Sequence, residues 1–396
     1  MRRALWLHAT PIAAPAEAVF VWHARPGALE RPTSPYERGD GEARYILPFG
    51  PLGRLVAGGA VQRQLRRMLA YRHAVIRGDG EVHAGRAGEP AMRLAVTGSG
   101  GLLGSALVPF LLTAGHQVIR LVRGSTRGSE EASWDPARGL ADPVSLEGVD
   151  AVIHLAGENI AAARWTRERK AEIRRSRVEG TRRLCEGLAR LPRPPKALVC
   201  ASAIGYYGDR GDEILREDSP PGTGFLAEVC QLWESAAEPA SQTGIRVVHM
   251  RFGMILTPAG GALRKMLVPF RLGLGGNMGN GGQYVSWIAL DDATLAIHHV
   301  LSNDSVRGPV NAVAPGPVTN AEFTRTLARV LSRPALATLP AFAARLAFGE
   351  MADALLLASQ RVVPSRLQAS GFGFRFPTLE GALRHLLGGR DRGRVG

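Results

Sequence analysis

From Met92 onward, short apolar runs alternate with longer amphipathic stretches. The apolar runs are RLAVTG, HQVIRLVR, DAVIHLAG, KALVCASA and RVVHMRFGMIL, and each has the length of a buried strand. Between them, the spacing of apolar positions predicts helices in SALVPFLLTAG, ERKAEIRRSRVEGTRRLCEGLARL and FLAEVCQLWESAAEPASQTG. Strands that alternate with helices are typical of parallel sheets with crossover helices. The pattern therefore predicts an α/β fold built on a doubly wound parallel sheet.

The ends of the chain follow other patterns. The residues before Met92 are rich in proline and loop-forming residues and contain too few strand candidates for an independent core. After about Pro315 the segments are mostly helical, and the chain ends in the polar RDRGRVG, which is expected to be disordered. We therefore predict an N-terminal segment at 1–90, an α/β domain at 92–315, a smaller C-terminal region at 335–388 and a tail at 389–396.

A glycine-rich stretch, TGSGGLLG, follows a predicted strand and opens a predicted helix, as a nucleotide-binding loop requires. Gly98 permits a tight turn, Gly101 lets the backbone approach a pyrophosphate, and Gly104 allows the helix to pack closely on the strand. The helix N-terminus adds unpaired N–H groups and a partial positive charge. The predicted cofactor contacts are Thr97, Gly98, Ser99, Gly101, Leu102, Leu103 and Gly104. The alternative is a glycine-rich turn that holds no ligand.

The end of the second predicted strand indicates which dinucleotide fits. Folds that prefer NAD usually place Asp or Glu about 20 residues after the glycines, to bind the ribose 2′-hydroxyl. No acidic residue occurs between Gly104 and Glu130, whereas Arg120, Arg123 and Arg127 do. Arg123 is placed to meet a 2′-phosphate, so the predicted cofactor is NADP(H). The alternative is a solvated arginine in an arginine-rich chain.

Composition narrows the classes of partner. The net charge of +14 comes from arginine, since the chain has three lysines, Lys170, Lys196 and Lys265. Nucleic-acid binders concentrate such charge in a stripe with interleaved aromatic residues. Here the arginines are scattered through every segment, so no nucleic-acid partner is expected.

The three cysteines are odd in number and too far apart for a metal knuckle, so buried thiols in a reducing compartment are expected. No cluster of His, Cys and carboxylate residues suggests a metal. No run approaches the roughly 18 to 20 apolar residues that span a bilayer. The expectation is a cytoplasmic protein with no membrane partner.

Several motifs together resemble the extended, epimerase-like branch of the short-chain dehydrogenase/reductase superfamily. TGSGGLLG is similar to the branch's TGxxGxxG, and DAVIHLAGENI to the strand whose Leu155, Ala156 and Gly157 flank the cofactor. ALVCASAIGYYGDRGDE, with Ala201, is similar to the strand that leads to the active site. HLAGENI, SRVEGT, SAIGYYGDRGDE, GFLAEVCQLWE and VSWIALDD also occur in this order in a subgroup of sugar-nucleotide-epimerase-like oxidoreductases. The resemblance implies a Rossmann fold that binds NAD(P).

Both ends carry resemblances as well. VVPSRLQASGFGFRFPTLEGAL is similar to a C-terminal domain of unknown function that is usually joined to this subgroup. VFVWHARPGALERPTSPYE and YILPFGPLGRLV resemble the start and the end of a START-like helix-grip domain. The central strands of such a domain are missing, so residues 1–90 are interpreted as a truncated START-like segment.

Members of the superfamily transfer hydride with a Tyr-x-x-x-Lys pair, in which the lysine lowers the tyrosine pKa, and with a serine that polarises the substrate. Four residues before the three lysines stand Thr166, Pro192 and Gly261, so the chain has no such pair. The corresponding slot in GFLAEVC holds Phe225 and Val229. The usual acid–base machinery is therefore absent.

The catalytic candidates that remain are Ser202 and Tyr206. Ser202 lies at the superfamily's serine or one residue from it, the other alignment being Ala203. A serine that ends a buried strand can instead satisfy a backbone group. Tyr206 donates a proton if its hydroxyl faces the cleft, and otherwise packs as a loop tyrosine. Glu228 serves as an acid or base if burial raises its pKa, and His154 is predicted to be a core histidine.

A long glycine-rich stretch, GGALRKMLVPFRLGLGGNMGNGGQYVSWIALDD, follows the last predicted strand, and long loops so placed often line pockets. Lys265 or Arg271 is expected to meet an anionic substrate, Gln283 to supply a polar contact and Trp287 an apolar wall. Asp291 and Asp292 are predicted to cap the next helix.

These features lead to one main hypothesis and one alternative. The resemblance implies an NADP(H)-binding oxidoreductase of the epimerase type that acts on a small, sugar-nucleotide-like molecule, with the cofactor doing the redox chemistry. The alternative is a non-catalytic NADP(H)-binding or redox-sensing protein. Loss of the Tyr-x-x-x-Lys pair favours the alternative, and the retained pocket region favours the enzyme.

Overall fold

The computed structural model describes residues 70–86, 88–140 and 142–388. The chain divides into two compact units, Met1–Ala91 with Pro109–Gly115, and Met92–Val108 with His116–Gly396. In the first unit, residues 70–84 form helix α1. The START-like interpretation rests mainly on residues 1–69, and the prediction of a disordered tail concerns residues 389–396. Both predictions lie outside the described residues.

The first half of the second unit contains most of the strands and helices that the sequence pattern predicts. This half contains β1 (Arg93–Thr97), α2 (Gly104–Thr113), β2 (Gln117–Val122), β3 (Glu131–Asp135), β4 (Gly139–Leu140), β5 (Ala151–His154), α3 (Arg167–Ala189) and β6 (Ala197–Ala203). A 3-10 turn at Ile204–Tyr207 follows β6 directly. Helix α2 begins in one unit and ends in the other.

The second half of the unit has shorter elements. They are β7 (Ile214–Leu215), α4 (Phe225–Ser235), α5 (Glu238–Gln242), β8 (Arg246–Phe252), β9 (Met254–Leu256), α6 (Gly261–Arg271), β10 (Gly276–Met278), β11 (Tyr284–Val285), β12 (Trp287–Ala289), α7 (Leu290–Leu301), β13 (Gly308–Ala312), β14 (Val318–Thr319) and α8 (Asn320–Leu331). The C-terminal segment adds β15 (Ala337–Leu339), α9 (Ala341–Phe348), α10 (Glu350–Ala352), β16 (Arg361–Val362), α11 (Ser365–Ala369) and α12 (Leu379–Leu387).

The central sheet has eight strands in the order β13-β8-β6-β5-β1-β2-β3-β4. Every pair in it is parallel except β3 with β4. The strand order reverses between β1 and β5, and ligands of open parallel sheets bind in the crevice beyond the carboxyl ends of the strands at such a point. The predicted doubly wound parallel fold is confirmed.

Burial explains why the apolar runs form strands. All four residues of β5 and the first four of β6 are buried, as expected for parallel strands covered by helices on both faces. Three strands of the central sheet were not foreseen, β3, β4 and β13. The sequences of β3 and β13, EASWD and GPVNA, lack a continuous apolar run, and β4 has two residues.

The run RVVHMRFGMIL divides into β8 and β9 at Gly253. A Cβ atom at Gly253 would lie 2.6 Å from the carbonyl oxygen of Ser286, so only glycine fits where the chain leaves the central sheet. Strand β9 then pairs in parallel with β12 in a separate two-stranded sheet. The break carries the chain from the nucleotide half to the second hydrophobic core.

That second core joins the long glycine-rich stretch to the C-terminal segment. Trp287 lies at its centre with no exposed surface, surrounded by apolar side chains of α6, α8 and α12. The prediction that Asp291 and Asp292 cap the next helix is wrong, because the N-cap of α7 is Ala289 and no side chain caps it.

The two aspartates instead hold the C-terminal segment. Asp292 accepts hydrogen bonds from the backbone amides of Arg375 at 2.9 Å and Phe376 at 3.0 Å. The carboxylate of Asp291 lies 2.8 Å from Nε2 of His385. Burial raises the pKa of Asp292 to about 6, although the two amides act in the opposite sense.

Three features of residues 70–86, 88–140 and 142–388 concern membranes, metals and thiols. None of the helices there is long and apolar enough to cross a membrane. No group of three or more His, Cys, Asp or Glu side chains in the same ranges is arranged to hold a metal ion. Cys185, Cys200 and Cys230 are free and buried, as predicted, and burial raises the pKa of each thiol.

Candidate functional site

The glycine-rich loop fills the turn between β1 and α2 with its backbone. Gly98 has a φ of +67°, and a Cβ atom there would lie 2.9 Å from the backbone nitrogen of Ala156. A Cβ atom at Gly104 would lie 2.2 Å from the carbonyl oxygen of Gly98. The third glycine therefore lets the start of α2 approach the loop itself. No side chain fits at either position without moving the backbone.

The same loop leaves backbone donors available. The amide of Gly101 donates to the carbonyl of Gly98 at 2.9 Å, which closes the turn. The amides of Leu102, Leu103 and Gly104 form no hydrogen bond with any residue in the described ranges. Unpaired N–H groups at a helix N-terminus attract anions, and the helix dipole adds to this attraction. The arrangement therefore suits a phosphate group.

Beneath the loop, Thr97 and His154 join β1 to β5. The hydroxyl of Thr97 accepts the amides of Leu155 and Ala156 at 3.1 and 3.2 Å and lies 2.7 Å from Nδ1 of His154. Nε2 of His154 lies 3.0 Å from the hydroxyl of Thr181. Burial lowers the pKa of His154 to about 4, so the ring is neutral at pH 7. His154 is a core histidine, as predicted, and the Thr97 side chain is used inside the fold.

Two loops meet beside the crevice, one after β2 and one after β5. Arg123 follows β2 with an exposed side chain. The carboxylate of Glu158, in the next loop, pairs with Arg169 at 2.8 Å. A hydrogen bond from Arg169 holds the pKa of Glu158 below its usual range, and the charge of Arg123 contributes more weakly. Arg123 and Glu158 are therefore electrostatic neighbours where the adenosine end of a dinucleotide would lie.

Ser202, the second-to-last residue of β6, lies in a charged network. Its hydroxyl donates to Oε1 of Glu234 on α4 at 2.7 Å. Arg251 on β8 binds both carboxylate oxygens of Glu234, from Nε and from Nη2, at 2.8 Å each. The Arg251 and Glu234 side chains are 3% and 13% exposed, so this ion pair is largely buried. The Ser202 proton is thereby directed at a carboxylate.

The tyrosines that follow β6 meet the other side of Arg251. Nη1 of Arg251 donates to the hydroxyl of Tyr207 at 2.9 Å, and that hydroxyl donates to Oδ1 of Asn311 at 2.7 Å. The guanidinium carbon lies 3.5 Å from the ring centroid of Tyr206, in a stacked cation–π contact. Tyr206 is half-buried, and its hydroxyl makes no hydrogen bond to a residue in the described part of the chain.

The three predicted substrate contacts lie in different surroundings. Lys265 is exposed on α6, and its ammonium donates to the carbonyl of Ala161 at 2.8 Å. Gln283 is buried, and its amide nitrogen donates to the carbonyls of Met278 and Leu356. Trp287 is buried in the second core. The structure brings these three to no common surface, and their substrate role stays a prediction.

Phe225, which stands where the superfamily's tyrosine would be, borders a groove of about 760 Å³ between the first turns of α3 and α4. Phe225 lies at its edge with the ammonium of Lys170 4.7 Å from the ring centroid. Lys170 pairs with Glu350 at 2.8 Å, and Arg174 with Glu228 at 3.3 Å. The Glu228 side chain is 60% exposed, so it lacks the burial that an acid–base role would require.

Sequence reasoning missed Glu234 and Arg251, which organise the surroundings of both catalytic candidates. The available signal was a charged residue inside the apolar run RVVHMRFGMIL. Charged residues are seldom fully buried unless they are paired, so Arg251 required a buried partner. The identity of that partner was not readable, because Glu234 lies on a different element.

Family models match two parts of the chain. Residues 94–313 match the NAD dependent epimerase/dehydratase family. Residues 339–386 match a domain of unknown function, DUF1731. An epimerase family protein from Mycobacterium bovis is 46% identical over 290 residues, which cover 73% of this chain and 96% of the relative.

Solved structures are similar as well. The human epimerase family protein SDR39U1, crystallised with NADPH, is 37% identical, with a TM-score of 0.69 over 74% of this chain and 99% of that one. The nucleoside-diphosphate sugar epimerase from Corynebacterium glutamicum is 32% identical, with a TM-score of 0.77 over 95% of this chain and 89% of that one. The chain therefore belongs to the NAD-dependent epimerase/dehydratase family, among proteins similar to SDR39U1.

Proposed function

We propose that this protein binds NADP(H) at the glycine-rich loop and acts as an oxidoreductase of the epimerase type on a small, sugar-nucleotide-like molecule. The observation that carries the proposal is the loop itself, which follows β1, leaves the amides of Leu102 and Leu103 available and excludes side chains at Gly98 and Gly104. The human relative crystallised with NADPH supports the same cofactor.

The preference for NADP(H) rests on the loop after β2. Arg123 stands there exposed, in a stretch that has no acidic residue between Gly104 and Glu130. A guanidinium binds a phosphate through charge-assisted hydrogen bonds, whereas NADH would offer it only a ribose hydroxyl. The nearby carboxylate of Glu158 is neutralised by Arg169, which limits its repulsion of a phosphate.

Different residues at the crevice would bind different parts of the cofactor. The amides of the loop would bind the pyrophosphate, Arg123 would bind the 2′-phosphate, and the ends of β5 and β6 would lie beneath the nicotinamide. The bound cofactor would supply or accept hydride. Tyr206 is the better proton donor of the two candidates, because the Ser202 proton is directed at Glu234.

A second function, NADP(H)-dependent sensing without catalysis, is favoured by one specific observation. Ser202, Glu234, Arg251 and Tyr207 satisfy one another in a buried network. Each hydroxyl in this network donates its proton to another group of the protein, and no lysine is present to lower the pKa of a proton donor. In this role the cofactor would act as a ligand that stabilises one conformation.

Titration of the protein with NADPH and NADH, followed by nicotinamide fluorescence, tests the cofactor. We expect NADPH to bind more tightly, and Arg123→Ala to weaken NADPH binding about tenfold or more while leaving NADH binding unchanged. Arg127→Ala is the matched control, since Arg127 is also exposed and lies four residues further on. Absence of binding, or a preference for NADH that Arg123→Ala leaves unchanged, would refute the NADP(H) assignment.

A substrate screen that follows NADPH oxidation separates the enzyme from the sensor. If the protein is an enzyme, Tyr206→Phe is expected to reduce turnover at least about tenfold, because general acid–base groups contribute factors of this size or larger. Ser202→Ala is expected to have a smaller effect. Turnover unaffected by both substitutions would remove both catalytic candidates, and tight NADPH binding without turnover on any substrate would support the sensor.

A further inference from the structure

The loop between β5 and α3, residues 155–166, begins at the carboxyl end of β5, where the crevice lies. Its first residues lie against the glycine-rich loop, where Ala156 approaches Gly98. Its last residues are fixed by Trp165, whose ring packs edge-on against Phe225 and whose Nε1 donates to the carbonyl of Ile160 at 2.8 Å. Between these two anchors, the carbonyl of Ala161 accepts the ammonium of Lys265 at 2.8 Å.

Helix α6, which carries Lys265, also touches the glycine-rich loop. A Cβ atom at Gly260 would lie 2.7 Å from Cδ1 of Leu102, and one at Gly261 would lie 3.5 Å from its Cδ2. Gly261 has a φ of +64°, so the chain enters α6 in a conformation that favours glycine. The start of α6 therefore contacts Leu102, whose amide forms no hydrogen bond in the described ranges.

Through α6, Lys265 thus connects the glycine-rich loop with the loop after β5. One end of α6 contacts the glycine-rich loop through Leu102, and Lys265, a turn further along, holds the loop after β5. Residues 161 and 265 are 104 positions apart in sequence, so the bond joins elements that the chain connectivity alone does not bring together. The side chain is exposed, and a hydrogen bond of this kind can open and reform.

We propose that Lys265 is a positioning residue of the cofactor cleft. By binding the carbonyl of Ala161, it closes the loop 155–166 onto α6 and fixes the wall against which the dinucleotide is held. The inference rests on the proposed NADP(H) site, and it replaces the sequence-based role of Lys265 as a substrate contact. Its consequence is kinetic, because a cleft that is held closed releases its ligand more slowly.

Stopped-flow mixing of NADPH with the full-length protein measures this effect. Lys265→Met keeps the aliphatic stem and removes the ammonium, and we expect it to release NADPH about three- to tenfold faster, with association no slower than in the wild type. Lys265→Arg keeps a donor and should restore most of the slow release. Arg264→Met is the matched control, since the Arg264 guanidinium donates to the carbonyl of Ala259, within the same stretch.

Two kinetic outcomes would overturn the inference. Unchanged release from Lys265→Met would show that the bond does not hold the cleft. Slower association with a weaker dependence on salt would show that Lys265 attracts the anionic cofactor directly. A wild type that binds no NADPH would instead refute the proposed function.

Hydrogen exchange without cofactor tests the connection independently. In Lys265→Met, the amides of residues 158–165 should exchange at least about threefold faster than in the wild type, and in Arg264→Met they should not. Equal exchange in Lys265→Met and the wild type would overturn the inference even if NADPH did not bind.

Discussion

The carboxyl ends of β1 and β2 differ in kind from those of β6 and β8. At the first two, the amides of Leu102 and Leu103 and the guanidinium of Arg123 form no hydrogen bond with a residue in the described ranges. At the other two, the polar groups of Ser202 and Arg251 are bound to buried neighbours. One region is built to receive a ligand, and the other is largely satisfied by its own side chains.

This difference indicates that the cofactor site and the proposed catalytic site are specified separately on one sheet. The cofactor site needs a backbone that remains available, which glycines provide. The acid–base site needs a titratable group with an incomplete set of partners, and in this chain Tyr206 is the candidate that meets that requirement. The family fold therefore predicts the bound cofactor more reliably than it predicts the reaction.

The largest expected effect comes from removing one member of the Arg251–Glu234 ion pair. Arg251→Met leaves the Glu234 carboxylate buried without its partner, and we expect the free energy of unfolding to fall by about 3 to 5 kcal/mol. Urea unfolding measures the loss. The double variant Glu234→Leu with Arg251→Met should recover most of it, since both charges are then removed. An equal loss in the single and double variants would contradict a buried pair that holds this region together.

A second test concerns the floor of the cofactor region. Burial lowers the pKa of His154 to about 4, from 6.5, so the unfolded chain binds the proton first as pH falls. The folded protein should lose about 3 kcal/mol of stability as pH falls from 6.5 through 4. His154→Gln should flatten this loss in urea unfolding measured at a series of pH values.

Asp292 must be considered in the same experiment because it acts in the opposite direction. Its pKa is raised to about 6, so its contribution to stability is present below the ordinary value near 3.8 and is lost as pH rises through 6. The difference between the wild type and His154→Gln isolates the histidine. If that difference did not vary with pH, His154 would not be a neutral core residue.

The smallest expected effect compares two glycines of the cofactor loop. Gly104→Ala places a methyl group on the carbonyl of Gly98 and should cost about 1 to 3 kcal/mol of stability and weaken NADPH binding at least about tenfold. At Gly100 a Cβ atom would meet nothing within 4 Å, so Gly100→Ala should change stability by less than about 0.5 kcal/mol. Thermal unfolding and NADPH titration of both variants measure this, and similar behaviour would show that the loop tolerates side chains generally.

Much of the fold was readable from local patterns. The apolar runs ending at Thr97, His154 and Ala203 are strands in the structure, and the glycine-rich loop lies where the strand and helix pattern placed it. Strand β13 was missed because Gly308 and Pro309 open it and only three of its residues are buried. Its pairing with β8 comes from the sheet and not from an apolar run of its own.

The candidate site divides in the same way. The sequence identified the glycine-rich loop and Arg123, because both are local features of short segments. Lys265, Gln283 and Trp287 were placed together only because they share a glycine-rich stretch, and the fold separates them. Lys265 bonds a loop 104 positions away, whereas Gln283 and Trp287 are buried.

By itself, the sequence determined the parallel sheet, the nucleotide-binding loop and the absence of a Tyr-x-x-x-Lys pair, because each depends on residues close together in the chain. The tertiary structure alone decided that Ser202 donates to Glu234, that Arg251 stacks on Tyr206, and that Asp292 holds the C-terminal segment. These contacts join different elements of the fold. A polar group buried in a folded core must find its partner wherever packing places one, and packing is set by the whole chain.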